Sequence, residues 1–251
     1  MSHMRKTLLM ITLIAVILFT AACNMMENTD GKITEIGDLT EKEADILCEN
    51  YPEDEELIRQ GKLHDEQIVA LNELRESVSL VESRYPNLNY EITGFVPANK
   101  MGPQSTMDLT VSGDAAGIYT VYASYDENSN LRFSENVYGA VYHGEYDEYI
   151  TAKLKAAGLN VKTYTAFGTE IEGELSSVED IISGKEDIVI YTDVFTEKVD
   201  EEAKRPLCDK VDSIMANETN SPLVTVYFVD KLDTDVSKLE EDRSNLEQGC
   251  F

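Results

Sequence analysis

The chain has 251 residues, with 21 Lys plus Arg against 48 Asp plus Glu and a formal net charge of −27. That balance excludes a nucleic-acid partner, because phosphate binding depends on clustered cations that displace counterions. A hydrophobic content of 42% with only 6 Pro and 14 Gly excludes a disordered or low-complexity protein, since enough apolar surface exists to offset chain entropy.

The first element is a leader. Arg5 and Lys6 form a short basic region, and Thr7 to Ala22 carries no charge, the n-region and h-region of an export signal. Met4 serves as well as Met1 for the start. The apolar run ends in Thr20, Ala21, Ala22 and Cys23. Small residues directly before a cysteine resemble the lipobox of bacterial lipoproteins, with Thr20 standing where an aliphatic residue is usual. The resemblance implies a signal peptide over 1–22 and Cys23 as the lipidated first residue of the mature chain. The alternative is an uncleaved span, since a membrane helix needs about 20 predominantly apolar residues. Either way the cations precede the apolar run and Glu27, Asp30 and Glu35 follow it, so the positive-inside rule places the remainder outside the cytoplasm. Two acyl chains on Cys23 would hold it there stably.

Residues 23–38 show no period and are expected to be an acidic flexible tether. Residues 39–251 then form the extracellular domain, with sub-lobes expected at 39–145 and 146–251. Thr40 and Glu43 stand at capping-box spacing before a short helix to Cys48. From Asp65 to Tyr85, Ile68, Leu71, Leu74, Val78, Val81 and Tyr85 mark one buried helical stripe, with Glu73, Arg75, Glu76, Glu82 and Arg84 on the other faces and Pro86 as the stop.

Beyond Pro86 the period changes to two. Tyr90–Val96, Thr106–Val111, Gly117–Tyr125 and Leu131–Tyr142 read as strands of a meander, joined by turns around Gly113 and from Asp126 to Asn130. Tyr146, Ile150, Leu154 and Ala157 mark a helix closed by Gly158, and Asn160–Phe167 is a strand. Ser176 and Glu179 suggest a capped short helix to Ser183. Asp187–Phe195 and Pro222–Val229 are apolar enough to lie inside a sheet. Between them Thr196 is expected to cap a helix that Pro206 kinks or splits, and Val236, Leu239, Arg243 and Leu246 suggest a last exposed helix.

This order predicts an α+β fold, mainly antiparallel sheet with helices packed on one face. In layout the domain also resembles uncharacterised lipoproteins of Gram-positive bacteria, in which a helix, a meander and a VYFVD-like strand recur. That resemblance implies a class and a location, and no site.

No motif identifies a reaction. With Cys23 lipidated, Cys48, Cys208 and Cys250 remain, an odd count that permits one disulfide plus a free thiol or three thiols. No Cys-x-x-Cys, Gly-x-Ser-x-Gly, Ser-x-x-Lys or phosphate-binding glycine loop is present. His143 with Glu145 and Asp147 reads as a surface turn. Asp230–Asp235 and Glu53–Glu56 lack the glycine and distal glutamate of a calcium loop and read as solvated charge. Neither a metal nor a cofactor is expected.

Tyr138, Tyr142, Tyr146 and Tyr149 fall within twelve residues and are the candidate ligand-binding platform, against the reading in which such rings pair across a sheet. The leading expectation is a lipid-anchored, non-enzymatic binding module of the cell envelope. Its partner is an envelope protein or small molecule, with a bias toward cations. Carboxylate-dependent wall hydrolysis and solute binding for a transporter are the alternatives. They differ in geometry: a hydrolase needs two acids about 5 to 9.5 Å apart in a cleft, whereas a binding module needs an apolar or Tyr-lined depression.

Overall fold

The computed structural model describes residues 32–113, 117–232 and 235–250; the expected leader, Cys23 and part of the Gly113 turn lie outside them. The fold is α+β, as its order of elements suggests. It has two compact units, one ending at Asn72 and one beginning at Glu73. Both four-stranded sheets lie in the second of these units.

In the N-terminal unit, β1 (Ile33–Glu35) pairs antiparallel with β2 (Lys62–His64), so part of the expected tether is strand. Helix α1 (Glu41–Asn50) begins with a complete capping box: Thr40 Oγ1 accepts the Glu43 N–H at 3.2 Å, and Glu43 Oε2 accepts the Thr40 N–H at 2.8 Å. A 3-10 turn (Pro52–Asp54) and α2 (Glu55–Arg59) lead to Gly61, at φ +71°. A side chain at Gly61 would be strained in φ and would bring a Cβ to 2.7 Å from the Ile36 carbonyl oxygen. Leu47, Tyr51, Ile58 and Leu63 are fully buried here, with the free thiol of Cys48 among the buried residues. Helix α3 (Asp65–Arg84) crosses the unit boundary. Gln67, fully buried in its first turn, accepts the His64 N–H and donates to Asp54 Oδ2 at 2.6 Å.

In the larger unit, β3 (Tyr90–Val96), β4 (Gln104–Val111), β5 (Ile118–Tyr125) and β6 (Leu131–Glu135) form the expected antiparallel meander, with a four-residue helix α4 (Ala98–Met101) between the first two. Met107, Leu109, Val121 and Ala123 face inward by strand alternation. Leu74 and Val81 of α3 are buried as the stripe predicts, but Glu73, expected on a solvated face, is buried too. It accepts the Ala98 N–H at 3.2 Å, and burial pushes its carboxyl up.

Leu131–Tyr142 is not one strand. The strand stops at Glu135 and helix α5 (Tyr138–Ala156) starts three residues later. Tyr, Val and Ala at alternating positions imitate a strand, but side chains from the preceding corner favour a helix start. Glu135 Oε2 accepts the Tyr138 N–H at 3.2 Å, and Asn136 Oδ1 accepts the Thr120 N–H at 2.7 Å. Glu135 is fully buried. Its Oε1 also accepts from Arg84 at 3.0 Å and from the Tyr85 hydroxyl at 2.7 Å, which fixes the corner to the end of α3.

The second sheet has the order β10-β9-β8-β7, from β7 (Val161–Phe167), β8 (Ile190–Glu197), β9 (Leu223–Val229) and β10 (Glu247–Cys250). Its two apolar strands β8 and β9 are interior, as expected, and run parallel, which requires the crossover helix α7 (Glu201–Met215) between them. The other pairings are antiparallel.

Four local expectations are corrected. The short helix α6 (Val178–Ile182) makes no side-chain cap; Asp180 instead accepts the Ser176 N–H at 2.7 Å. Thr196 lies in β8, its hydroxyl donating to the Asn160 carbonyl, and Asp200 precedes α7. That helix runs through Pro206, whose side is exposed, because Cys208, Val211 and Met215 beyond it are buried. Cys208 is held in a disulfide. At the C-terminus, α8 (Val236–Glu241) is followed by a 3-10 turn (Arg243–Asn245) and then β10, where a single exposed helix was expected. Leu239 is buried.

Candidate functional site

Alternation along the second sheet separates two faces. Thr163 and Thr165 of β7, Thr192, Val194 and Thr196 of β8, and Val226 and Phe228 of β9 share the buried face. Tyr164 and Ala166, Tyr191 and Asp193, and Leu223, Thr225 and Tyr227 share the other, joined by Gln248 of β10 opposite Tyr227. These eight residues, with Val224 and Arg243, line a cavity of about 680 Å³.

The register sets out the floor. Tyr164 lies beside Asp193 and Asp193 beside Thr225; one row away Ala166, Tyr191 and Leu223 align. Tyr191 and Leu223 form an open rim at 49% and 58% exposure. Gly168 makes room for the first of these, since a Cβ there would lie 2.5 Å from the Tyr191 ring. At the opposite end Phe195 stacks on Tyr227 with ring centroids 5.5 Å apart. Leu232 and Leu239 complete that cluster, with Val236 and Leu246 packed against it. The C-terminal segment thus covers this end of the face, and the cavity lies beside it, sharing Tyr164 and Tyr227 with that cluster.

The polar end is a three-residue cluster where roof meets floor. Arg243 Nη1 lies 2.7 Å from Glu240 Oε1 and 3.4 Å from Asp193 Oδ2. The Asp193 and Glu240 side chains are only 13% and 15% exposed. Glu240 Oε2 is buried and meets no donor among the described residues. Burial first, and then the Asp193 charge, pushes Glu240 up to about 7. Burial also raises Asp193, with Glu240 and Arg243 acting against the shift. The two acids therefore titrate as a coupled pair in which Glu240 is the one favoured to hold a proton, with Arg243 balancing the Asp193 charge. Tyr227, whose hydroxyl burial raises, faces the same cluster.

Tyr138, Tyr142, Tyr146 and Tyr149 do not line this cavity. All four lie on α5, where Tyr138 and Tyr146 are buried. The Tyr138 hydroxyl donates to the Thr169 carbonyl at 2.9 Å, Tyr142 to the Leu175 carbonyl at 3.0 Å, and Tyr149 to Glu218 Oε2 at 2.8 Å. Tyr138 and Tyr146 both pack on Phe167, at 5.4 and 5.7 Å between centroids. A helix spreads residues four apart along one stripe, and here that stripe meets β7. These rings hold α5 in place, and the solvated platform expected of them is not formed by Tyr138 and Tyr146.

Cys23 lies outside the described residues. His143 Nδ1 is 3.1 Å from the Gly139 carbonyl of its own helix, and Asp147 is held by the Thr165 hydroxyl at 2.7 Å. Asp230 pairs with Lys198 at 2.8 Å and Glu55 with Arg59 at 2.8 Å. Among the described residues no group of three or more His, Cys, Asp or Glu is placed to hold a metal ion.

The groove-forming residues Tyr164, Tyr191, Asp193, Tyr227 and Arg243 escaped sequence reasoning. Their signal was an aromatic or charged residue at every second place, as in Tyr191 and Asp193 on either side of Thr192. Compared with known proteins, the chain matches no family model, no curated protein and no solved structure.

Proposed function

We propose that this chain is a lipoprotein displayed on the outer face of a cell membrane through Cys23, and that it works by binding, with the open-face groove of the second sheet as its ligand site. The observation that carries the binding reading is the groove itself: about 680 Å³, floored by Tyr164, Tyr191, Leu223 and Tyr227, with polar groups gathered at one end. Apolar concavity with a few convergent polar groups is the usual form of a small-molecule or side-chain pocket.

Hydrolysis by paired carboxylates is less well supported. A glycosidase keeps its two acids about 5 Å or more apart so that a sugar bond fits between them. Here Asp193 and Glu240 are bridged by Arg243 Nη1, at 3.4 and 2.7 Å, so both acids are engaged by a cation instead of facing a scissile bond. The anchor reading is supported by the leader pattern. The disulfide at Cys208 accords with an oxidising compartment.

Two measurements test the proposal. Cys23→Ala should move the protein from the membrane fraction to the soluble one and abolish palmitate labelling; retention in the membrane would favour an uncleaved span. Tyr191→Ala with Leu223→Ala should remove ligand binding with little change in the unfolding midpoint. Unchanged binding would place the site elsewhere.

A further inference from the structure

Taking the groove as the ligand site, we infer that it selects a small-molecule cation attached to an aromatic body, an aryl-alkyl amine, and that Asp193 at the polar end of the groove receives the charge. The floor supplies the body's contacts. Tyr164, Tyr191 and Tyr227 present ring faces or edges around Ala166 and Leu223, and tyrosine faces attract cations as well as apolar groups.

The sign of the charge follows from what converges there. Of the lining residues, Asp193 from β8 supplies a carboxyl and Arg243 from the 3-10 turn a guanidinium, while Tyr227 from β9, Gln248 from β10 and Tyr164 from β7 add no charge; Glu240 from α8, bonded to Arg243 just outside the lining, supplies a second carboxyl. An anionic head would pair with Arg243 but meet two acids already bonded to it. A cationic head finds one carboxylate in Asp193 and a second in Glu240 once that residue's proton leaves. Among the described residues Glu240 Oε2 is buried and has no hydrogen-bond partner, so a cation drawn to Asp193 brings its charge to a cluster that holds an unsatisfied acceptor. Binding then exchanges a proton for the ligand's charge: one proton passes from Glu240 to solvent, and the cluster stays neutral with two carboxylates, Arg243 and the bound cation. The overall charge of −27 favours the approach of the same sign of ligand.

Three probes of one size separate the possibilities: phenethylamine, its neutral analogue 2-phenylethanol and the anion 3-phenylpropanoate. They would be titrated by calorimetry and amide chemical shifts into the full chain in neutral detergent near pH 7. Phenethylamine should bind about tenfold or more tightly than 2-phenylethanol, the scale of one charge-assisted hydrogen bond in a partly buried site. It should shift the amides of Tyr191, Asp193, Tyr227 and Gln248. Its heat should vary with the buffer's ionisation enthalpy, as proton release requires.

Asp193→Asn should abolish the preference for the amine. Glu240→Gln, which keeps the shape of the protonated acid, should remove the buffer dependence even if the first variant folds poorly. Preference for 3-phenylpropanoate would overturn the inference and make Arg243 the recognition group. Equal affinities with shifts at the groove would also overturn it, while leaving the groove as the ligand site. No shift at the groove with any probe would remove both.

Discussion

The two faces of the second sheet are made by the same strands, residue by residue in alternation, yet they solve the problem of polar groups in opposite ways. On the covered face Thr163, Thr165, Thr192 and Thr196 are all buried, and each hydroxyl meets a protein partner of fixed position. Thr163 bonds the Asp147 carbonyl, and Thr165 bonds the Asp147 carboxylate at 2.7 Å. On the other face the C-terminal segment covers only the end at Phe195 and Tyr227, and the acids Asp193 and Glu240 are held by Arg243. A fully roofed face leaves no room for a ligand and must satisfy every polar atom internally. A partly roofed face can leave an acceptor to be satisfied by something that arrives.

Substitutions on the two faces should therefore differ most in stability. Phe228 is fully buried on the covered face, with the Lys204 ammonium 5.6 Å from its ring centre. Phe228→Ala should cost about 3–5 kcal/mol in urea unfolding, the range for removing a large core ring. A loss below about 1 kcal/mol would mean that the covered face is loosely packed. Next, Thr165→Val preserves shape but takes the hydroxyl from Asp147, whose carboxyl burial already raises. It should cost about 1–3 kcal/mol, the price of a buried acceptor left without its donor.

On the open face the effects become smaller and depend on pH. Glu240 is pushed up to about 7 in the folded chain, above the value of about 4.3 expected when unfolded. Between those values the folded state holds a proton that the unfolded chain has lost, so stability falls as pH rises through about 4.5 to 7 and is unchanged below. The loss should be on the order of 1 kcal/mol, solvent screening having weakened the effect at the cavity's edge. Glu240→Gln should flatten this slope in unfolding curves recorded from pH 4 to 8. The smallest effect is expected at the rim: Leu223→Ala, at a side chain already 58% exposed, should alter stability by less than about 0.5 kcal/mol. If its effect on stability matched that of Phe228→Ala, the two faces would not differ as described.

Much of the framework was legible because local and global preferences agree there. The Thr40 and Glu43 pair caps α1 through contacts three residues apart. The stripe from Leu71 to Tyr85, the meander turn at Asp126 and the end of α5 at Gly158 are equally local, and Asp126 accepts N–H bonds from Asn128 and Asn130 at 2.9 Å each. Reading failed where distant partners overruled a pattern. The alternation Tyr138, Ala140 and Tyr142 suggests a strand, but Glu135 turns the chain into α5, and that buried acid is held by Arg84 and Tyr85 from 50 residues earlier. Glu247–Cys250 has no strand pattern of its own and becomes β10 by pairing with β9.

By itself the sequence determined the class of fold, the acidity and the apolar faces of most elements, since composition and short-range periodicity depend on residues that are neighbours in the chain. It also carries the leader pattern on which the membrane anchor is proposed. Only the tertiary structure decided which tyrosines meet a cavity. Tyr138 to Tyr149 crowd together in sequence but are spread along a helix and used in packing. Tyr164, Tyr191 and Tyr227, scattered over more than 60 positions, converge because adjacent strands place alternate side chains on one face. The pairing of Asp193 with Glu240 has the same origin, for strand register and chain reversal set distances between side chains that spacing along the chain does not contain.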